Sequence, residues 1–568
     1  MSSTAGESRG TAHDEVVEEH RLSKGFTFRS AFALGFADVS PIVALYAIFT
    51  LALFTAGPAF FWAFPIVLAG QLLVAAVFGE LASRWPYAGS VYQWARHVQG
   101  TQWGWFAAWA YIWGLTIALS ALSYGAAGFL LEIFDVESPT RWLTTAVALL
   151  IIAVGTLTNM VGRRVLKVMI VLSITAEVLG SIGLGTVLLL FYRVNPIGTL
   201  FDGFGTQANG LWVTGPFLVA IAFVGWSFLG FEAAGSIGEE VEEPERNVPK
   251  AIILALLFVA LVVMYSSLAL ILAIPNLSRV MSTQSGDPVA DTLVAHFGAG
   301  IGRPLLILFV IGFLSSFLAV QAAVSRCVWG SARDRSLPGS GLLDQLRGPE
   351  RLPIYSILLT GVVAGLLVLL AGSELYSVLI NFTTIGFYIA FGVPVAGAAL
   401  AHLRGTWTPG AFNLGRWSAP VAYLATIWIT LQTINIVWPR PTPGTPWYIT
   451  WSMVITTVVL GAIGIVVYLS VRGRIEAPIG DRLRSASAQV LSAAGLATPD
   501  EETSSVDRNP NKGGREDQIP QQNPRIARES HQGATVTELT RCGRVAVGLG
   551  LHPTRGCYNG SEFAVKLT

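Results

Sequence analysis

The sequence predicts an all-α integral membrane protein with about twelve transmembrane helices, and three observations carry that prediction. The first is composition: 53% of the 568 residues are hydrophobic and only 12% are charged. An ordinary soluble domain carries roughly 25% charged residues, so the polar surface of a globular fold is missing. Mean hydropathy is +0.58 over the whole chain, polar ends included. Second, apolar stretches recur at 30–54, 60–81, 104–131, 143–159, 165–192, 212–238, 251–274, 305–329, 354–371, 374–400, 420–438 and 447–471. Each is long enough to cross about 30 Å of hydrocarbon and is bounded by Gly, Pro or charge. Third, Lys and Arg are unevenly shared between alternate loops. With the N-terminus inside, the outer loops hold only Arg141, Arg193, Arg279, Arg303 and Arg440, against roughly four times as many inside. That bias expects both termini in the cytoplasm of a cell that inserts the chain in its inner (plasma) membrane.

Several function classes are excluded at this stage. A formal net charge of +1 gives no footprint for nucleic acid. Cys327, Cys542 and Cys557 have no zinc-ligand spacing, and no metal or cofactor motif is present. No Ser/His/Asp grouping, metalloprotease helix motif or phosphate loop lies in the apolar region, so the chain does not read as an enzyme. His296 stands alone in a predicted outer loop, where solvent exposure is expected. Tryptophans near the ends of spans, such as Trp103, Trp105, Trp438 and Trp447, fit an interfacial belt. The N-terminal tail, 1–27, is polar and lacks the charge pattern of a cleaved signal, so the first span is expected to direct insertion. The region 28–474 is the membrane domain. Beyond it, 475–568 turns polar and is expected to be a disordered cytoplasmic tail.

Two spans read as broken. In the first, Gly35-Phe36-Ala37-Asp38-Val39-Ser40-Pro41 places a proline and an acid near mid-span. Pro41 removes an intrahelical donor and disfavours helical geometry at Ser40, which frees the carbonyl of Ala37. In the sixth, Gly225-Trp226-Ser227-Phe228-Leu229-Gly230-Phe231-Glu232 sets glycines around aromatics with an acid close behind. Interrupted helices expose backbone polar groups at the midplane, where transported ligands bind. Glu177, in the fifth span, is a third acid within an apolar run. Asp38, Glu177 and Glu232 have no obvious Lys or Arg at the same depth. Such carboxyls must hold protons, bind a cation, or exchange a proton during a transport cycle.

Three further segments carry a resemblance. They are Gly79-Glu80-Leu81-Ala82 through Gly89-Ser90-Val91-Tyr92, Gly230-Phe231-Glu232 through Glu239-Glu240 to Arg246-Asn247-Val248-Pro249, and Ser325-Arg326 through Ala332-Arg333-Asp334-Arg335 to Pro338. Together they resemble the amino acid–polyamine–organocation (APC) superfamily, and within it a bacterial amino acid permease. The resemblance implies a leucine-transporter-type fold, with spans one to five and six to ten as inverted repeats and spans eleven and twelve as additions. It implies that the backbone at Val39, Ser40 and Pro41 and at Gly225, Trp226 and Ser227 faces the substrate. By the resemblance Trp226 would be an occluding lid and Glu232 a gate or proton-linked acid. Asp38 as a substrate contact and Glu177 as a coupling or gating acid are expected from their depth in apolar spans, and Glu177 departs from relatives that place a lysine near that point. One departure stands out: relatives commonly show Gly-Ser-Gly in the first span, whose amides hold a carboxylate, whereas Pro41 has no N–H. A carrier of amines could use Asp38 to hold an ammonium instead.

The expected function is secondary active transport of an amino acid or organic amine such as a polyamine, by alternating access. Coupling is expected to protons, as symport or exchange, with Na+ as the other ion. The partners expected are a small amino acid or amine and membrane lipid, not nucleic acid. A transporter-like receptor signalling through the C-terminal tail is the alternative. The acidic loop that starts at Glu239 is expected to cap the sixth span and to pair with arginines such as Arg84 or Arg333.

Overall fold

A computed structural model of the protein describes residues 26–136, 139–206, 211–283, 286–370, 375–440 and 447–477. Of the two tails expected from the sequence only 26–27 and 475–477 are described, and there Phe26 and Glu476 are held by main-chain hydrogen bonds to other segments, contrary to the disorder expected from 475 on. The rest of both tails, with Cys542 and Cys557, lies outside the described residues. Among the described residues there are ten helices long and apolar enough to cross a membrane. Two shorter apolar helices, Val213–Ser227 and Ile354–Leu370, fill the remaining expected places. The all-α prediction therefore stands. Extended pairing among the described residues is limited to two isolated bridges, Phe26 with Val241 and Arg347 with Leu352.

The third span, Thr101–Ile133, is the axis of the packing, lying against the tenth, Leu375–Leu403, and the eighth, Ile307–Arg333. Its contact with the tenth depends on size: a methyl group at Gly386 would stand 2.9 Å from the Cα of Gly114. Small residues let membrane helices approach closely and gain dispersion contact where no hydrophobic effect drives them together. The seventh span, Pro244–Ala273, packs against the second, Ala63–Arg84, and against the first. The last span, Ser452–Val471, buries only Gly464 and Val471 and attaches to the third through Trp109, whose indole donates to the Leu460 carbonyl at 2.9 Å. Its apolar exterior suits contact with lipid. Trp103, Trp438 and Trp447 are exposed near span ends, but Trp105 is buried and donates to the Ser336 carbonyl at 2.7 Å.

Both expected interruptions are present. The first span runs Phe28–Val39, stops at Ser40 with φ +49, and restarts at Pro41. Pro41 occupies the first helical position, where its missing N–H costs nothing, and the Ser40 hydroxyl caps the new helix by accepting from Val43 N. The sixth span is helical over Leu218–Ser227, then opens through Gly230 at φ +95, and resumes at Ala233–Ser236. In the fifth span a π-helical turn, Val178–Gly183, begins directly after Glu177. Such turns mark functional positions in helices because they leave backbone groups unsatisfied within the ladder. Here the Gly180 carbonyl accepts from Tyr46 Oη at 3.1 Å.

On one membrane face the three segments that carried the resemblance converge. Arg333 grips Glu239 through both guanidinium nitrogens at 3.1 and 3.2 Å, Arg326 pairs with Glu240 at 2.6 Å, and Arg96 pairs with Asp334 at 2.5 Å. The expectation for Glu239 holds for Arg333. Arg84 donates to the Thr408 carbonyl and lies over the Trp85 ring. These pairs are not solvated loop contacts: both side chains of the Arg96–Asp334 pair are wholly buried.

On the other face, His296 is not the free solvent residue expected from its loop. It contacts the Ala273 carbonyl at 2.6 Å and packs on Tyr192. Nearby, Asp287 caps the helix Pro288–Phe297 through Val289 N and accepts from Thr50 of the first span. Burial is the main cause that pushes the Asp287 carboxyl up to about 6, with the neighbouring Asp291 charge adding to it. The folded state therefore holds a proton that the unfolded chain releases near its ordinary value of 3.8. Stability contributed here falls as pH rises from about 4 to about 6 and is level above that window. Thermal unfolding in detergent across this range should show a shallower fall for Asp287→Asn than for the natural chain.

Candidate functional site

The break in the first span turns Asp38 and Val39 toward the break in the sixth. Between them lies a small cavity of about 30 Å³, walled by Asp38, Val39, Trp226, Gly230, Ser316, Thr383 and Phe387 among others. The Asp38 carboxyl sits directly against Gly230, where any side chain would strike its Oδ2. Glycine is needed there twice over, since φ is +95 as well. Gly230→Ala should therefore displace Asp38, and the initial uptake rate should fall at least about tenfold with insertion unchanged, as checked by size-exclusion profile.

Asp38 Oδ1 is buried with no hydrogen-bond partner among the described residues, and so is Thr383 Oγ1. The Asp38 carbonyl accepts from Ser316 Oγ at 2.8 Å, a group released by the helix break. Glu232 lies just past the sixth-span break, fully buried; Oε1 accepts from Tyr111 Oη at 2.7 Å while Oε2 has no partner. No Lys, Arg or His lines the cavity. Glu177 differs from the other two acids. One of its oxygens accepts from Ser40 Oγ and the other from Ile42 N at 2.8 Å, so it clamps the first-span break from the fifth span. On the residues that line the cavity the unpartnered side-chain atoms are Asp38 Oδ1 and the Thr383 hydroxyl, and the latter can accept or donate.

Residues 26–460 match a family model described as amino acid permease. The chain belongs to the amino acid permease family. Similar proteins include an uncharacterized amino-acid permease of Schizosaccharomyces pombe, 23% identical over 79% of this chain and 84% of its own length. Amino-acid permease BAT1 of Arabidopsis thaliana is 23% identical over 75% of this chain and 87% of its own. A putative amino acid/polyamine transporter of Macrophomina phaseolina is 23% identical over 72% and 93%. These relatives are fungal and plant proteins, so the expectation of a bacterial permease finds no support in them. The permease is a multi-pass membrane transporter and not an enzyme.

Of the residues singled out from the sequence, the permease brings Asp38, Val39 and Trp226 to the cavity wall. Ser40 and Pro41 stand at the break itself, with Ser40 turned to Glu177. Gly225 faces the Tyr388 hydroxyl, and the Ser227 hydroxyl donates to the Ala44 carbonyl at 2.5 Å. Glu177 and Glu232 lie behind the wall. Sequence reasoning did not single out Ser316, Thr383, Phe387 or Tyr111. The pairs Ser315-Ser316 and Thr383-Thr384, polar residues inside apolar spans, were the available signal.

Proposed function

We propose that this permease carries an amino acid or organic amine by alternating access, with the substrate's ammonium held at Asp38 and with Glu232 and Glu177 taking part in proton coupling or gating. The observation that carries this reading is the unpartnered Asp38 Oδ1 on a cavity with no basic residue. A buried carboxylate without a partner is costly, so it either takes up a proton or is completed by a cation in part of the cycle, and a substrate ammonium can supply that cation. Glu232 suits proton exchange through its free oxygen, one bond away from Tyr111. Glu177, tied to the break, suits a role in holding or releasing the first span. Trp226, buried on the cavity wall, suits the lid. The charge bias of the loops supports cytoplasmic termini in the inner (plasma) membrane.

The test is uptake in liposomes holding the purified permease, with labelled amino acids, polyamines and small amines, with and without a proton gradient and with Na+ present or absent. Gradient-driven uptake of compounds that carry an ammonium supports the reading. Uptake of amines alone makes Asp38 the leading contact, whereas uptake driven only by Na+ overturns proton coupling.

A further inference from the structure

We infer that Thr383 is a second contact for the substrate nitrogen, so that one ammonium group is read by two acceptors of the same cavity. This rests on the reading of Asp38 given above. A hydroxyl in an apolar helix ordinarily satisfies itself on the carbonyl four residues earlier. Thr116, Thr384, Thr426 and Thr457 all do so, at 2.6 to 2.7 Å. Thr383 does not, although it is only 1% exposed. Several buried serine hydroxyls, such as Ser267 and Ser315, also lack a partner, but none of them lines the cavity, whereas Thr383 does, and the other unpartnered side-chain oxygen on a lining residue is Asp38 Oδ1. Asp38 and Thr383 line the same small cavity. An ammonium has three N–H donors to distribute. The rest of the wall, Val39, Val43, Leu122, Val320 and Phe387, is hydrocarbon and suits an apolar substrate body.

The test uses butylammonium and butyltrimethylammonium, which share a body and differ in N–H donors, as ligands in a thermal-shift titration of the detergent-purified permease. Thr383→Val should weaken butylammonium about tenfold and leave butyltrimethylammonium unchanged, while Thr383→Ser should stay within about threefold of the natural protein. An equal loss for both ligands, or no loss for either, overturns the inference. If Asp38→Asn weakens butylammonium and Thr383→Val does not, the Asp38 reading survives and this one fails. No binding of butylammonium to the natural protein overturns both.

A separate observation carries a second inference, on the face where the ion pairs gather. Glu476, just past the last span, reaches back to that cluster. Its carbonyl accepts from Arg96 Nη2, its N–H donates to the Asp334 carbonyl at 3.1 Å, and its carboxylate lies 3.9 Å from Arg335. The first two contacts use main-chain atoms and join the helix Val91–Gln99 to the turn after the eighth span. We propose that this segment is a strap that must be released before that face opens, so that whatever binds or modifies the following chain can set the transport rate. Cys327, beside Arg326 and buried, reports opening when Cys542 and Cys557 are replaced by Ser. Glu476→Pro, which deletes the N–H, and a stop after Arg474 should each label several-fold faster with an impermeant maleimide. Glu476→Ala and a stop after Ala477 should label at the natural rate. Natural labelling rates for both Glu476→Pro and the shorter chain overturn the strap.

Discussion

Replacing Asp38 by Asn is expected to reduce uptake of an ammonium-bearing substrate by about a hundredfold or more while membrane insertion is preserved. The substitution keeps the shape that fits against Gly230, so the helix breaks are not disturbed. What changes is chemistry: a carboxamide has no charge, and its NH2 group presents donors where the substrate also presents donors. Losing a charge-assisted hydrogen bond costs about 1.5–3 kcal/mol, and the lost attraction between charges at a buried carboxyl adds to it. At 1.4 kcal/mol per factor of ten, the sum reaches the stated loss. Initial rates in liposomes, normalised to inserted protein, measure it. Normal uptake by the variant would sink the ammonium role and leave Asp38 a structural residue.

The membrane architecture was legible because the bilayer imposes strong rules on sequence. Twenty apolar residues between charges leave few alternatives, and each of the twelve stretches falls on a helix. The break at Ser40 was legible for the same reason, since Pro41 cannot continue a helix as an ordinary residue does. The sixth-span break was placed less well. Its helix continues through Gly225, Trp226 and Ser227 and opens at Gly230, because only that glycine faces the Asp38 carboxyl and must take positive φ.

The site itself was half legible. An acid inside an apolar run announces itself, but its partner does not, because partners come from distant spans. Glu177 meets Ser40 and Ile42 across about 135 positions, and Tyr111 meets Glu232 across 121. Thr383 shows the opposite limit: threonines are common in membrane helices, and only the missing bond to its own helix sets it apart from Thr384. The charged loops misled in degree. The pairing of Glu239 with Arg333 was legible, but not its setting: Arg326 and Arg333 are buried in the end of the eighth span and Glu240 with them, with Glu239 at the edge.

Burial decides what those pairs are worth. Removing Asp334 by mutation to Ala strands Arg96, which has no exposed surface, and strips an acceptor from Tyr92 Oη at 2.8 Å. Breaking a buried pair from one side costs about 3–5 kcal/mol, because the remaining charge stays unpaired in a poorly solvated place. Asp334→Ala should therefore show a large loss of stability in chemical unfolding of the detergent-purified permease. The exposed pair of Arg303 with Asp135, whose side chains are 26% and 54% accessible, gives the control. Its loss should cost about 0–1 kcal/mol. The double replacement Arg96→Met with Asp334→Leu should recover much of the loss, since two apolar groups of similar bulk need no desolvation of charge. Recovery of stability without recovery of transport would show that the pair serves the moving face. Recovery of both would leave it a packing element, and the strap at Glu476 would then act without its charged anchor.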